Sequence, residues 1–239
     1  MRGPSLWVTG GGSGMGRATA ISAARAGWQV TVSGRRPAPL KETVAEITEA
    51  GGSAIDLPLD VQDRDAVAQA ARQVVERCGG LDALVLAAGL NTPRRRWDDQ
   101  DLQEFDAIVA TNLNATASAI SAALPHLRAS GGLAVAISSF AGWTFQPGAG
   151  VAYSASKTAL GSLVRTLNHQ EAPHGVRACH VCPGDVATDF LEQRPEVPDA
   201  EARSVMLSAQ DIARAVQFVL DSPPHVRVDE LVVSPVSQR

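Results

Sequence analysis

Aromatic residues are scarce in this chain. They make up 4% of 239 residues, and Tyr153 is the only Tyr. A core of this size must then be filled by small and aliphatic side chains, which suits close packing of helices on a sheet. Cysteine is scarce too: three residues are an odd number and too few for a disulfide framework, so a reducing compartment is the simpler reading. Basic charge is not in excess. A net charge of -4 argues against nucleic acid as the main partner. No apolar run reaches the length of a membrane span, and the first strand begins by about Leu6, which leaves no room for a signal peptide. The expectation is a cytoplasmic protein with no membrane partner. Repeats, low-complexity tracts and linkers are absent, so residues 1–239 read as one domain, with 45% apolar residues to build its core.

What is abundant is glycine, concentrated at the end of the first apolar run. Leu6-Trp7-Val8-Thr9 leads into Gly10-Gly11-Gly12-Ser13-Gly14-Met15-Gly16, and an Ala-rich helical stretch follows. A strand turning tightly into a helix needs Gly where φ is positive or where backbone approaches a ligand. The start of the helix then offers N–H groups and a positive dipole end to a pyrophosphate. The spacing is G-x-x-x-G-x-G, which differs from the general G-x-G-x-x-G fingerprint.

Strands and helices alternate along the rest of the chain. Strands are expected at Ser5–Thr9, Gln29–Ser33, Ser53–Leu59, Asp82–Ala88, Leu133–Ser139, Val176–Cys182 and Leu231–Ser234. The long stretch from about Asp99 to Ala129 reads as helix, bent or ended by Pro125. Gly142–Gly150 reads as a loop before a helix from Ala152 to about Glu171, and Phe190–Leu207 as a short polar segment. Ser208-Ala209-Gln210-Asp211 is a capping box opening the last helix. The expected fold class is α/β, a doubly wound parallel seven-stranded sheet in a Rossmann-like three-layer arrangement. Ligands of such sheets bind beyond the C-terminal strand ends. Gly10–Gly16, Arg35-Arg36, Asp60-Val61, Ser138-Ser139 and Pro183–Thr188 all fall there.

Tyr153 and Lys157 are four positions apart, so one helix face carries both. An ammonium within a few Å favours a phenolate and lowers the phenol pKa. A phenol so tuned exchanges a proton with a carbonyl or alcohol oxygen near neutral pH. Ser139, at a strand end, could reach the same oxygen, and Ser138 competes for that role. Taken alone, the pair Tyr153 and Lys157 also fits a plain amphipathic surface.

The full set of motifs resembles the compact, single-domain branch of the short-chain dehydrogenase/reductase family. Thr9-Gly10-x-x-x-Gly14-x-Gly16 resembles its cofactor loop, with Gly12, Ser13 and Met15 inside it. Asp60-Val61 resembles its adenine-contacting pair, and Ala87-Ala88-Gly89 the end of its N-A-A-G motif. Asn112 matches the Asn that holds a proton-relay water. Ser139, Tyr153 and Lys157 match its Ser–Tyr–Lys unit. Pro183-Gly184-x-x-x-Thr188, with Val186 inside it, matches the loop over the nicotinamide. Two positions depart: Leu86 stands where the family has Asn, and Ser139 is one residue further from Tyr153 than is common. The resemblance implies hydride transfer between a nicotinamide and a small-molecule alcohol or carbonyl substrate. In it Tyr153 is the acid/base, Lys157 tunes Tyr153 and holds the ribose, Ser139 binds the substrate oxygen, and Asn112 supports a water chain. It also implies a homodimer or homotetramer, with the long helix and the Tyr153 helix at the contact.

The stretch Ser33-Gly34-Arg35-Arg36 has no carboxylate to hold a ribose 2′-OH, and Arg suits a 2′-phosphate. The expected cofactor is NADP, with NAD as the alternative. Trp143, Phe145, Gln146, Phe190 and Leu191 are candidates for the substrate pocket. Arg94-Arg95-Arg96 reads as a solvated loop or a contact for an anionic substrate or a neighbouring subunit. Cys179 and Cys182, three apart in a strand, face opposite ways and complete no zinc site, so no metal is expected. The five His residues match no triad. The ending Val228–Val236 resembles family members that oxidise small 3-hydroxy acids. A catalytically silent cofactor-binding sensor is the competing reading. An epimerase of the longer branch would need a C-terminal substrate domain.

Overall fold

The computed structural model describes residues 3–238. Seven strands form one sheet in the order β3-β2-β1-β4-β5-β6-β7, and all neighbours are parallel. The strands are β1 (Ser5–Thr9), β2 (Gln29–Gly34), β3 (Ser53–Pro58), β4 (Ala83–Leu86), β5 (Leu133–Ile137), β6 (Arg177–Pro183) and β7 (Glu230–Val233). β1, β4 and β5 are buried along their whole length, as expected of strands covered on both faces. The order reverses between β1 and β4, which makes their C-terminal ends the topological switch point.

The core has two halves, one on each face. On one face α1 (Gly14–Arg25), α2 (Pro37–Glu49) and α9 (Ala209–Leu220) press Ala20, Ala23, Leu40, Ile47, Ile212 and Val216 onto Leu6, Val8, Val30 and Val32. On the other face lie α3 (Arg64–Cys78), α5 (Ala115–Ser130) and α7 (Val151–Glu171). They contribute Val67, Ala71, Val74, Ala119, Ala123, Leu127 and Val164 against Trp7, Leu84, Leu86 and Ala134. Alanine at two of the named contacts in the first half and at four in the second lets helix axes come close to the sheet, which answers the shortage of aromatics. Each fully buried aliphatic here stabilises the fold by about 1.5–3 kcal/mol. Leu86, at the position where the family has Asn, packs inside the second half-core.

The long helix departs from expectation. It opens as α4 (Leu102–Val109), widens into a π-turn at Ala110–Asn114 and continues as α5. Pro125 does not end it; α5 runs on to Ser130. Ser121, whose carbonyl loses its usual donor at Pro125, is exposed and faces water, while Ala123 and Leu127 stay buried. By length and composition alone the run Leu102–Ser130 could cross a membrane, contrary to the sequence reading; here its α4 and α5 parts pack on α7 and α3. Two short helices were also not anticipated: α6 (Phe140–Trp143) within the loop after β5, and α8 (Ala200–Ser204) within the segment before α9. The capping box at α9 is present, with the Ser208 hydroxyl accepting from Asp211 N–H and Asp211 accepting from Ser208 N–H.

Candidate active site

At the switch point a cavity of about 690 Å³ opens beyond the strand ends. Its floor is the loop between β1 and α1. Gly10 has φ +70°, and a Cβ there would lie 2.7 Å from the Ala88 nitrogen. A Cβ on Gly16 would lie 2.3 Å from the Gly10 carbonyl oxygen. The loop and the first turn of α1 are therefore pressed directly on each other and on the Ala87-Ala88 backbone. Ser13 is the N-cap of α1 but its hydroxyl makes no capping bond, so the N–H groups of the first turn remain available to a ligand.

The cavity is lined by Gly10, Gly12, Ser13, Gly14, Met15 and Gly16 on the loop, Arg35 and Arg36 after β2, Asp60 and Val61 after β3, and Ala87, Ala88 and Gly89 after β4. Tyr153, Lys157 and Thr188 complete it. Arg35 and Arg36 are exposed and form no ion pair among the described residues. A Cβ on Gly89 would sit 3.7 Å from Asn112 Oδ1 and 3.8 Å from Lys157 Nζ, so this glycine leaves a hollow beside the amine. Uncapped helix N–H groups, two free guanidiniums and backbone hollows are the donor set and space that a phosphate-bearing dinucleotide requires.

A second cavity of about 380 Å³ meets the first at Met15, Ser138, Tyr153, Thr188 and Phe190. Pro183, Gly184 and Val186 line this one, as do Ser139, Gln146 and Leu191. Trp143 and Phe145 do not. They stand 50% and 84% exposed, and Trp143 packs edge-on against Phe140. Trp143 ends the short helix α6 and Phe145 follows its extended C-cap Thr144, both on the solvent side, which corrects the expectation that they line the pocket.

Tyr153 is thus the joint between the two spaces. The Ser139 hydroxyl accepts from the Ala141 N–H at 3.2 Å, lines the second cavity with Tyr153, and pulls the pKa of the phenol down. Ser138 is buried and donates instead to the Lys157 carbonyl oxygen at 3.2 Å, locking the end of β5 to α7. That contact separates the two serines: both line the second cavity, but the Ser138 hydroxyl is spent on the α7 backbone. Phe190 covers the Tyr153 ring with centroids 6.0 Å apart.

The electrostatics differ from the sequence expectation. Burial pushes the Tyr153 phenol above its ordinary value, against downward pulls from the Ser139 hydrogen bond and from the charges of Arg95 and Arg194. Lys157 is itself lowered to about 8, chiefly by burial. Its Nζ donates to the Ile137 carbonyl oxygen at 3.1 Å and lies 5.6 Å from the centre of the Tyr153 ring. The cations that pull on the phenol are the two arginines.

Asn112 sits in the π-turn, where the wider ring aims its side chain at the loop after β4. Its Nδ2 donates to the Leu90 carbonyl at 3.0 Å and to Ser156 Oγ at 3.1 Å, while Oδ1 accepts from Leu90 N–H at 2.8 Å. The side chain is a brace for the backbone next to Gly89.

Several residues at the site were not singled out from sequence. Gln193 accepts from Asn91 N–H at 2.8 Å and lines the first cavity; Arg194 and Gln238 line the second. They belong to irregular segments without periodicity or motif, so no local signal marks them. The triplet Arg94–Arg96 splits. Arg94 pairs with Asp101 and Glu104, Arg96 pairs with Asp98, and Arg95 turns inward to the second cavity. Away from the site, His180 Nδ1 lies 3.0 Å from Glu230 Oε2, and Cys182 Sγ lies 3.3 Å from the same nitrogen. Burial pushes the Cys179 and Cys182 thiols up to about 12.

Comparisons with known proteins agree with this geometry. Residues 5–198 match the sequence profile of the family described as short chain dehydrogenase. An uncharacterized oxidoreductase of Listeria monocytogenes is 31% identical over 244 residues, covering 97% of this chain and 96% of its own. A glycine betaine reductase of Emericella nidulans is 32% identical over 237 residues, but the chain spans only 18% of that longer protein. Among solved structures, an alcohol dehydrogenase from the archaeon Thermococcus sibiricus, complexed with 5-hydroxy-NADP, is 31% identical with a TM-score of 0.89, covering 99% of this chain and 98% of that one. The chain belongs to the short-chain dehydrogenase/reductase family, whose members are nicotinamide-dependent oxidoreductases.

Proposed function

We propose that this protein is an NADP-dependent oxidoreductase interconverting a secondary alcohol, or a small hydroxy acid, and the corresponding carbonyl compound. The observation that carries the reading is the place of Tyr153 at the joint of the two cavities, with Ser139 lining the second cavity beside it. A nicotinamide bound in the larger cavity supplies or accepts the hydride. Ser139 holds the substrate oxygen. Tyr153 gives its proton to that oxygen in reduction and takes it back in oxidation. Lys157, in the first cavity beside Gly89, holds the cofactor ribose, and water near the π-turn at Asn112 returns the proton to the phenol.

NADP is favoured because the end of β2 offers Arg35 and Arg36 and no carboxylate, and because guanidinium binds phosphate in a bidentate fork. The Thermococcus relative was solved with an NADP derivative. Self-association through the long helix and α7, as a dimer or tetramer, belongs to the same proposal.

The test is a screen of hydroxy acids, secondary alcohols, sugars and 3-ketoacyl thioesters with both cofactors, followed at the absorbance of the reduced nicotinamide. Tyr153→Phe is expected to abolish turnover and to keep cofactor binding. Wild-type turnover in the Phe variant would overturn the assignment of Tyr153. A tenfold preference in kcat/KM for NADH over NADPH would overturn the cofactor assignment.

A further inference from the structure

The loop after β4 sends one cation into the second cavity and spends its neighbours outside. Arg94 and Arg96 each have carboxylate partners on the exposed side. Arg95 has none among the described residues. Its Nε donates to the Thr92 carbonyl at 2.8 Å, Nη1 to the Gly148 carbonyl at 3.0 Å and Nη2 to the Gln193 carbonyl at 2.8 Å. These three oxygens come from the three loops that surround the cavity. They fix the plane of the guanidinium and leave its charge uncancelled. Of its five N–H donors, three are spent and two remain. The fit is close: a Cβ on Gly150 would lie 3.2 Å from the Arg95 Cγ, so the glycine makes room for the stem.

Arg194 lines the same cavity from the segment after β6. It is paired with Asp185, and the remaining carboxylate on the lining, Glu196, is exposed. The two arginines repel each other and both act on the Tyr153 phenol. Burial and the like charge of Arg194 both disfavour the charged form of Arg95. An anion bound between them relieves that repulsion.

We infer that the second cavity takes a small substrate with a carboxylate near its reacting carbon, and that Arg95 and Arg194 hold this carboxylate. This rests on the proton-transfer role of Tyr153 proposed above and adds what lies beside the phenol. A planar carboxylate matches the two N–H groups left on a guanidinium held in a fixed plane. A cavity of about 380 Å³ suits a small acid.

The test uses the full-length protein and one matched pair of ketones, acetoacetate and methyl acetoacetate, which share the carbonyl and differ in the charge. Expected is a kcat/KM for the acid about tenfold or more above that for the ester, as a charge-assisted hydrogen bond implies. Arg194→Gln and Arg95→Lys are both expected to shrink this ratio about tenfold; the Lys variant keeps the charge and the stem but loses the fork. Arg95→Ala is avoided because it would unpin three loops. A second readout does not need turnover: calorimetric binding of butyrate and of butanamide to the NADP-saturated protein. Butyrate is expected to bind about tenfold tighter, and Arg194→Gln to remove the difference. Equal turnover of acid and ester, a ratio that neither variant moves, or equal binding of butyrate and butanamide overturns the anion site. Arginine-dependent butyrate binding without turnover of either ketone would uphold the anion site and count against the role of Tyr153.

Discussion

The amine of Lys157 spends its hydrogen bond on the Ile137 carbonyl oxygen, 3.1 Å away, while the centre of the Tyr153 ring lies 5.6 Å off. Burial holds this amine at about 8, below its ordinary 10.5. Between those values the unfolded chain binds more protons at Lys157 than the folded one, so stability rises with pH across that window. Below it both states are protonated and the full cost of burying the charge is present. Relative to a Lys157→Met variant, the wild type is expected to gain up to about 3 kcal/mol of unfolding free energy between about pH 7 and about pH 10. Urea unfolding of both proteins measures this. Tyr153, raised by burial, acts with the opposite sign above its unfolded value near 10, so the comparison belongs below that pH. A flat difference between the two proteins would show that Lys157 keeps its charge in the folded state.

Gly16 meets a harder constraint than its φ imposes. Its φ is not positive, yet a Cβ there would lie 2.3 Å from the Gly10 carbonyl oxygen, which is backbone and cannot rotate away. Gly16→Ala is expected to push α1 off the loop. The cost is about 1–3 kcal/mol of stability, a melting point lower by about 3–10 °C, and a cofactor affinity lowered more than tenfold. Calorimetry on the apoprotein and a cofactor titration measure the two effects. Undisturbed cofactor affinity would mean that the pyrophosphate does not sit on this turn.

Arg35 and Arg36 stand free at the end of β2, on the wall of the larger cavity. A bidentate contact to a 2′-phosphate is a charge-assisted pair that NADH cannot form. Replacing both by Ser is expected to lower kcat/KM for NADPH by about 10–100-fold and to leave that for NADH within about threefold. Equal losses with both cofactors would place the two side chains in folding and not in phosphate recognition.

Much of this site is readable from the sequence because its parts sit at strand ends, and strand ends are marked by apolar runs giving way to Gly, Asp or Pro. Gly10–Gly16, Asp60-Val61 and Pro183–Thr188 needed nothing more than that. The same logic failed within Asp99–Ala129. A π-turn inserts one residue into a helix without changing its composition, so nothing in the periodicity separated α4 from α5. It also failed for Arg94–Arg96. Three identical side chains in a loop carry no period, and only the positions of Asp98, Asp101 and Glu104 on one side and the Gly148 and Gln193 carbonyls on the other decide which one turns inward. Trp143 and Phe145 differ from expectation for a related reason: the single turn of α6, too short to show a period, and the extended Thr144 after it leave both on the solvent side.

Asn112 allows a bracing role and a relay role to be separated. It is almost fully buried, and its amide satisfies both backbone groups of Leu90 as well as Ser156 Oγ. Asn112→Ala strands the Leu90 N–H and carbonyl, which lie beside the hollow at Gly89 where Lys157 points. Two half-buried groups left without these partners cost about 1–3 kcal/mol, a fall in melting point of about 3–10 °C. Ser156→Ala removes one bond from the same amide and leaves Leu90 paired, so about 1 kcal/mol is expected, with kcat little changed. A brace predicts that stability and kcat fall together in the Ala variant, since the loop carrying Gly89 is released. If Asn112→Ala melts like the wild type and loses only kcat, then Leu90 finds other partners and the residue serves proton transfer alone.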